Sequence, residues 1–447
     1  MQIGRCRWVV LAIGLAGGPW LGAAKDAGEH WVATWATSQQ LTAGGNVGGR
    51  GGGRGAPAVP PVVPPATATV PPAAPRPPQA GRGAGPNASN LPASFADQTV
   101  RQIVHVSLGG RRVRVELSNA AGAPPLEVGA AHLAIHKGGG EIAGGSDRVL
   151  TFGGSASIII QPGVLVVSDP VELEVAPLAH LAISLYLPRE TGAPTNHNIG
   201  LHTAYIAKGN VAGAASLPDA TTMFAYVWLS SVDVAAEDDA FTVVAYGDSI
   251  TDGYATTRDA DTAWPYLLAR RLSANKATRH AGVVNQGISG NQVLRDGAGL
   301  SALARFERDV LSRPGVKWVI LLEGINDINI RGRADGPGAL TAEELIWGYR
   351  QIIARSHAAG IKVMGATIMP EEGVPTASER GEGIRQAANQ WIRAKGNFDA
   401  VVDFDAVVRD PQRPAHIKAE FDPGDHIHPN DAGNQAMADA FDLRVFR

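Results

Sequence analysis

Four short segments of the sequence carry side chains suited to nucleophilic chemistry. The first is residues 247–253, GDSITDG, directly after the apolar run 241–246, which predicts a strand. Open α/β sheets bind their ligands at the carboxyl ends of strands, so Ser249 would present its hydroxyl at the sheet edge. A helix that begins at this turn also favours negative charge there. The alternative is that Ser249 or Asp248 serves only as a helix N-cap.

The second and third segments follow two further predicted strands. Residues 285–291, NQGISGN, come after the apolar pair 283–284, and residues 323–327, EGIND, come after a strand predicted at 316–322. Glycine allows a backbone N–H group to approach a ligand closely. An asparagine such as Asn326 can aim its amide at a developing oxyanion. Both segments are also compatible with ordinary turns, and Asp327 could cap a helix or support the loop.

The fourth segment is residues 425–429, DHIHP, just before a helix predicted at 430–441. A general base needs an imidazole that an acceptor holds in the right tautomer. Asp425 and His428 are three residues apart, so one turn can place both side chains on the same side, whereas His426 has a different phase. One alternative is a zinc site formed by Asp422, Asp425, His426 and His428. A structural histidine is the other.

Taken in this order, the four segments resemble the sequence blocks of the SGNH hydrolases, also called the GDSL esterase/lipase family. The resemblance covers residues 241–447, and Ile250 stands where the family name implies leucine. The matching positions are Ser249 in the Gly-Asp-Ser block, Gly290 in the Asn-X-Gly-X-Ser-Gly block, Asn326 in the Gly-X-Asn-Asp block, and Asp425 and His428 in the Asp-X-X-His block.

This resemblance implies a flavodoxin-like α/β domain that hydrolyses carboxylic esters. Ser249 would attack the ester carbonyl, His428 would accept its proton, and Asp425 would orient His428. The backbone N–H groups of Ser249 and Gly290, with the side-chain amide of Asn326, would form the oxyanion hole. This chemistry needs no metal and no organic cofactor.

The pattern of the chain predicts two domains. Residues 99–235 contain short segments rich in Val and Ile, broken by Gly, Pro, Asn and Asp, which is typical of an all-β sandwich. The alternating segment 31–38 is expected to join it. From residue 241 onward, strand and helix patterns alternate, which predicts a parallel sheet. We therefore expect a β-sandwich-like domain at 25–236 and a hydrolase domain at 240–447, with helices predicted at 262–273, 342–359, 377–394 and 430–441.

The N-terminus has the pattern of a secretory signal peptide. Arg5 and Arg7 precede a charge-free run over residues 8–24, which ends in small residues. This pattern predicts a signal peptide at 1–24 and a secreted or periplasmic protein. The alternative is an uncleaved N-terminal anchor. Cys6 is the single cysteine of the chain, so no disulfide framework within one chain is available.

Composition excludes some function classes. The formal net charge of the 447 residues is −3, which argues against a nucleic-acid partner. Residues 44–86 contain 22 Gly or Pro residues among 43, and this composition favours a disordered insertion over a packed segment. The alternative is a loop that binds a partner or a surface.

The substrate class is predicted only broadly. The sequence has no strong candidate for an amphipathic lid, so short-chain esters are preferred and no stable membrane association is expected. A secreted enzyme with an attached β domain suggests carbohydrate esters, such as acetylated plant polysaccharides, by analogy at the level of fold. The alternatives are a lipase or lysophospholipase-type acyl hydrolase and a catalytically silent secreted carbohydrate-binding protein. The pattern predicts no particular oligomeric state.

Overall fold

The computed structural model describes residues 28–40, 89–336 and 338–447. The predicted signal peptide at 1–24, with Cys6, and the Gly/Pro-rich tract at 44–86 lie outside the described residues. Among the helices that are described, none combines the length and the apolar character needed to cross a membrane.

The N-terminal half is built from antiparallel strands. Its strands are β1 (Trp31–Ala36), β2 (Gln98–His105), β3 (Gly110–Ser118), β4 (Leu126–Val128), β5 (Ala130–Gly138), β6 (Glu141–Ile142), β7 (Arg148–Val149), β8 (Ile158–Ile160), β9 (Leu165–Val167), β10 (Val171–Val175), β11 (His180–Leu187), β12 (Asn196–His197), β13 (Ala204–Lys208), β14 (Thr221–Met223), β15 (Tyr226–Val227) and β16 (Leu229–Ala235).

Two of the sheets form a sandwich. One has the strand order β1-β16-β3-β10 with β9 on β3, and the other has the order β14-β13-β2-β11-β5-β6 with β7 on β5. Val113 and Val115 of β3 lie in the same buried cluster as Leu181 and Ile183 of β11. The inward residues of both sheets therefore share one core, as the alternating sequence pattern predicts. The β-rich fold of this half is confirmed.

The first strand belongs to the sandwich and also contacts the second half of the chain. Strand β1 pairs antiparallel with β16, which confirms that this early segment joins the later β region. Val32 and Trp35 lie in the sandwich core, whereas Ala33 and Ala36 lie in the core of the C-terminal domain. Side chains alternate along a strand, and the register shift between Ala33 and Trp35 moves this alternation by one residue, so that Val32 and Trp35 face one core and Ala33 and Ala36 face the other.

The C-terminal half is an α/β domain. Its elements are β17 (Phe241–Gly247), α1 (Ser249–Asp252), α2 (Trp264–Ala274), β18 (Ala281–Gly287), α3 (Ala302–Phe306), a π-helical turn (Glu307–Leu311), β19 (Val316–Leu322), α4 (Ile325–Arg331), α5 (Ala342–Ala358), β20 (Lys362–Ala366), α6 (Glu379–Arg393), β21 (Ala400–Val402), α7 (Phe404–Val408), α8 (Asp431–Asp439) and a 3-10 turn (Leu443–Phe446).

The five strands of this domain form one parallel sheet in the order β18-β17-β19-β20-β21. Counted within the domain, the order is 2-1-3-4-5, which is the flavodoxin-like arrangement. Val243 and Val244 of β17 are fully buried, as expected for a strand covered by helices on both faces. The predicted parallel α/β architecture is confirmed.

Residues 223–234, within the region predicted to be β, have the pattern of one strand, but the structure interrupts it. Trp228 has a φ of 54°, a conformation that does not continue an extended strand, and it separates β15 from β16. Its backbone N–H donates to the carbonyl of Thr195, and its own carbonyl accepts from Ser118. The Val-rich pattern predicts the strand on both sides of this break and does not predict the break itself.

Candidate active site

The candidate site lies at the carboxyl edge of the parallel sheet. Ser249 begins α1 directly after β17, Gly290 follows β18, and Asn326 lies in the first turn of α4 after β19. These three strands are neighbours in the sheet, so their ends meet. The loop before α8 brings His428 to the same edge, where it contacts Ser249.

Ser249, His428 and Asp425 form a continuous hydrogen-bonded series. The distance from Nε2 of His428 to Oγ of Ser249 is 2.8 Å, and that from Nδ1 of His428 to Oδ2 of Asp425 is 2.7 Å. The ring of Tyr254 lies against the imidazole, with centroids 4.3 Å apart. The serine residue as a whole is 6% exposed. This arrangement can move a proton from Ser249 to His428.

Asp425 is held in its charged form. Its Oδ1 accepts hydrogen bonds from the backbone N–H groups of Ile427 and His428, at 3.2 and 3.0 Å. Partial burial acts to raise the pKa of Asp425. The hydrogen bond and charge of His428, together with the two backbone donors, outweigh burial and lower this pKa below its usual value. A carboxylate beside Nδ1 fixes the tautomer in which Nε2 faces the serine.

Close packing fixes the turn that carries Ser249. A Cβ atom at Gly247 would lie 2.1 Å from Oγ1 of Thr251 and 2.5 Å from the carbonyl oxygen of Leu322, so only glycine fits there. Asp248 caps α1 by accepting from the N–H of Ile250 at 3.0 Å. The N-cap function considered for this segment thus belongs to Asp248, which leaves the hydroxyl of Ser249 for His428.

Two groups near Ser249 are suited to bind an oxyanion. Gly290 has a φ of 81°, which places it in the left-handed region. Nδ2 of Asn326 is buried and has no hydrogen-bond partner among the described residues. A buried donor without a partner is costly, so such groups are uncommon in folded proteins. An oxyanion bound at this edge would supply the missing acceptor.

Two buried aspartates support the loop that carries Gly290. Oδ2 of Asp252 accepts from the backbone N–H of Ser289 at 2.9 Å and from its hydroxyl at 2.7 Å. The carboxylate of Asp327 accepts from the backbone N–H groups of Val293 and Leu294, at 2.8 and 3.3 Å. Asp327 therefore supports the loop, which is one of the two roles expected for it. Sequence analysis missed Asp252, although it lies only three residues after Ser249.

A buried arginine ties the ends of two strands beneath the site. The guanidinium of Arg305, on α3, donates to the carbonyl oxygens of Gly247 and Gln286, at 2.9 and 2.8 Å. It also donates to Oγ of Ser38, from the segment after β1, at 2.9 Å. The guanidinium also lies 3.3 Å from a carboxyl oxygen of Glu323. Arg305 therefore links the backbone that leads into the serine turn to residues of both domains.

The rival zinc grouping in the 422–428 loop separates into two pairs. Nδ1 of His426 faces Oδ2 of Asp422 at 2.6 Å, whereas His428 faces Asp425. Within residues 28–40, 89–336 and 338–447, the group of three side chains arranged to hold a metal lies elsewhere and consists of His105, His180 and Asp261. The structure thus favours the pairing of Asp425 with His428 over the zinc alternative in this loop.

Residues 245–436 match the sequence model of the GDSL-like Lipase/Acylhydrolase family. The C-terminal domain belongs to this family. The matched residues are fewer than half of the chain and do not include the β-sandwich. Assignment of the GDSL-like domain confirms the resemblance seen in the four sequence blocks and supports a general carboxylic ester hydrolase activity.

Part of this chain is similar to several solved structures. A GDSL-like lipase from Bacteroides thetaiotaomicron is 22% identical, with 44% of this chain and 84% of that chain covered and a TM-score of 0.33. An acetyl xylan esterase is 24% identical, with coverages of 45% and 97% and a TM-score of 0.35. The M. smegmatis aryl esterase is 18% identical, with coverages of 46% and 98% and a TM-score of 0.37. No curated protein matches the chain in sequence.

Proposed function

We propose that this protein is a secreted serine esterase that hydrolyses short-chain carboxylic esters through an acyl-enzyme on Ser249. One observation carries the proposal. The imidazole of His428 lies between Ser249 and Asp425, with hydrogen-bond distances of 2.8 and 2.7 Å. A serine becomes a strong nucleophile when an adjacent base accepts its proton and a third group orients that base.

The reaction proceeds in two halves. Oγ of Ser249 attacks the ester carbonyl while Nε2 of His428 takes the hydroxyl proton, and Asp425 stabilises the imidazolium that results. Collapse of the tetrahedral intermediate breaks the bond to the leaving alcohol, which receives the proton from His428. Water then attacks the acyl-enzyme with His428 again as base. This step releases the carboxylic acid and restores Ser249.

Negative charge on the carbonyl oxygen is stabilised by three donors in this proposal. These are the backbone N–H groups of Ser249 and Gly290 and the side-chain amide of Asn326. The absence of a partner for Nδ2 of Asn326 within the described part of the chain supports the assignment. Donors fixed before the reaction begins need no reorganisation as the charge develops.

The β-sandwich contributes to the surroundings of the site. Ile199 and Leu201, in the connection after β12, form a buried cluster with Tyr266, and Tyr254 packs against that cluster. Tyr254 in turn contacts the ring of His428. This contact supports the proposal that the sandwich shapes one wall of the cleft. As an extension of the proposal, that wall would bind sugar and the enzyme would deacetylate carbohydrates.

The test compares wild type, Ser249→Ala and Ser312→Ala. Ser312 is an exposed serine of the same domain whose hydroxyl donates to the carbonyl of Arg308, so it controls for loss of a serine away from the site. Each protein is assayed on p-nitrophenyl acetate, butyrate and octanoate, and for acetate release from acetylated xylan and pectin. We expect wild type and Ser312→Ala to hydrolyse acetate and butyrate, and Ser249→Ala to be inactive.

Each other outcome has a definite meaning. Turnover retained in Ser249→Ala, or no reaction of wild type with a fluorophosphonate, would contradict the serine mechanism. Faster hydrolysis of octanoate than acetate would favour the lipase alternative. Acetate release from polysaccharide that depends on Ser249 would support carbohydrate deacetylation, whereas activity on aryl esters alone would remove its support.

Secretion is tested separately from catalysis. We expect the mature protein recovered outside the cytoplasm to begin at Lys25, which mass spectrometry of the N-terminal peptide would detect. Recovery of peptides from residues 1–24 in the mature protein would instead favour the uncleaved anchor.

A further inference from the structure

A cluster of imidazoles lies where the sandwich meets the GDSL-like domain. We call it the interface histidine cluster and define it as His105, His180, His202 and Asp261. His105 ends β2 and His180 begins β11, and the two residues are paired directly across the antiparallel ladder. His202 lies between β12 and β13. Asp261 comes from the other domain, in the loop between α1 and α2.

The three histidines converge on one carboxylate. Nε2 of His180 lies 3.0 Å from Oδ2 of Asp261, and Nε2 of His202 lies 2.8 Å from Oδ1. Nδ1 of His105 is 3.5 Å from Oδ1, too far for a hydrogen bond. The candidate ligand atoms of His105, His180 and Asp261 all lie within 4.8 Å of one another. Two nitrogens and one oxygen thus surround a single point.

Among the three histidines of the cluster, His105 is the one that makes no hydrogen bond to Asp261. Its side chain is only 4% exposed, and its Nδ1 has no hydrogen-bond partner in the described chain. A buried Nδ1 without a partner is unusual, because buried polar atoms nearly always have one. A neutral imidazole has a free lone pair, which is the form that coordinates metals.

Both oxygens of Asp261 have a histidine partner, with His180 at Oδ2 and His202 at Oδ1. His202 bonds to the same carboxylate and also lies 3.3 Å from the hydroxyl of Tyr226, which fixes its ring. Ligating carboxylates are commonly oriented by such an outer hydrogen bond.

We propose that His105, His180 and Asp261 bind a divalent transition-metal ion, with zinc as the best fit, at the boundary between the two domains. Zinc takes nitrogen and oxygen ligands in tetrahedral geometry, often with three protein ligands and one open position. Its bond lengths require ligand atoms about 3.3 Å apart, so the side chains close around the ion by small adjustments of their χ angles.

One of the proposed ligands, His180, also lines a cavity. A cavity of about 240 Å³ borders the cluster and is lined in part by His180, His202, Thr203 and Asp259. It can hold water, which would complete the coordination. The ion would join strands β2 and β11 of the sandwich to the loop that follows the serine helix. This site lies outside the proposed hydrolytic chemistry, and its metal would be structural.

The test uses the full chain without a histidine tag, freed of metal by dialysis against a chelator. Zinc binding is measured by titration calorimetry, and cobalt(II) binding by its visible d–d absorption, which is intense in tetrahedral sites. We expect one equivalent of either metal to bind, and zinc to raise the thermal unfolding midpoint. Hydrolysis of p-nitrophenyl acetate should persist in the metal-free protein, so the outcome is separable from that of the proposed function.

Variants identify the ligands. His180→Gln and Asp261→Asn should each abolish stoichiometric binding. His202→Gln should keep the cobalt spectrum but weaken affinity about 10–100-fold, as expected for a residue that orients a ligand. His357→Gln is the matched control, because His357 forms a similar pair with Asp399, at 2.8 Å, outside the cluster. It should bind metal like wild type.

The proposal is overturned if metal-free wild type takes up no stoichiometric zinc or cobalt, or if His180→Gln and Asp261→Asn bind as wild type does. Circular dichroism establishes whether each variant is folded. Should the ligand variants fail to fold, X-ray absorption of the zinc-loaded wild type decides instead. Two imidazoles in the first shell support the site, and a shell of oxygen alone refutes it.

Discussion

Asn326→Ala is expected to separate catalysis from folding. In the proposed mechanism the side-chain amide of Asn326 binds the oxyanion, yet in the described chain its Nδ2 has no hydrogen-bond partner. The substitution therefore removes a donor that acts only on the transition state. A residue one turn later provides the control. Asn329, on the same helix, donates to Oε2 of Glu371 at 2.6 Å and accepts from the hydroxyl of Thr376.

Asn326→Ala should lose activity but keep its stability, whereas Asn329→Ala should lose stability but keep its activity. Loss of one oxyanion donor lowers kcat by about 10²–10³, or about 2.7–4 kcal/mol of barrier. The free energy of unfolding of Asn326→Ala should change by less than about 1 kcal/mol, because no hydrogen bond is lost at Nδ2. Asn329→Ala breaks two hydrogen bonds and leaves a buried carboxylate oxygen unpaired, which should cost about 1–3 kcal/mol of stability. Its kcat should stay close to that of wild type.

The assay combines initial rates on p-nitrophenyl acetate with urea unfolding of both variants. Rates over a range of substrate concentration separate kcat from KM. A raised KM with unchanged kcat in Asn326→Ala would make Asn326 a substrate-binding residue. A loss of stability as large as that of Asn329→Ala would mean that its amide has a structural partner, and the oxyanion assignment would then lose its support.

Three further substitutions test residues that hold the candidate site in place. Asp425→Asn should lower kcat by about 10⁴-fold, measured on p-nitrophenyl acetate, because the orienting carboxylate is lost. Burial would lower the pKa of His197, but the charge of Asp252 and two hydrogen bonds raise it above its usual value. The buried pair of His197 and Asp252 therefore stabilises the fold most at low pH. In urea unfolding, the free energy that it contributes should fall in wild type between about pH 6 and about pH 9, and His197→Gln should lack this pH dependence. Gly247→Ala should prevent normal folding, since its Cβ would lie 2.5 Å from a carbonyl oxygen in β19. Gly383→Ala is the control for circular dichroism, because nothing lies within 4 Å of its added Cβ.

The residues of the candidate site were predictable because they are close to strand ends. In a parallel sheet the carboxyl ends of neighbouring strands meet, so Ser249, Gly290 and Asn326 are brought together once their strands are recognised. The spacing of Asp425 and His428 within one turn made their pairing predictable too. These inferences need only local pattern and the rules of sheet topology.

Contacts between distant segments were not predictable in this way. His105, His180 and His202 stand in separate strands or loops, and nothing in the local pattern distinguishes a histidine that meets Asp261 from one that faces solvent. The same holds for His197, whose Nε2 lies 2.9 Å from Oδ1 of Asp252 across the domain boundary. Such pairs follow from how two domains pack, and that packing depends on the shapes of both surfaces.

The sandwich is best regarded as part of the hydrolase site. Both ring nitrogens of His197 face acceptors, the carbonyl of Ser38 at 2.7 Å and the carboxylate of Asp252 at 2.9 Å, and the protonated ring can donate to both. The other oxygen of Asp252 holds Ser289, the residue before Gly290. A cation from the sandwich therefore fixes the carboxylate that positions the proposed oxyanion loop. Without the sandwich this buried carboxylate would lose its counter-charge, and removing one partner of a buried ion pair typically costs about 3–5 kcal/mol. The C-terminal domain expressed alone should accordingly lose the geometry of that loop even where its own sheet still forms.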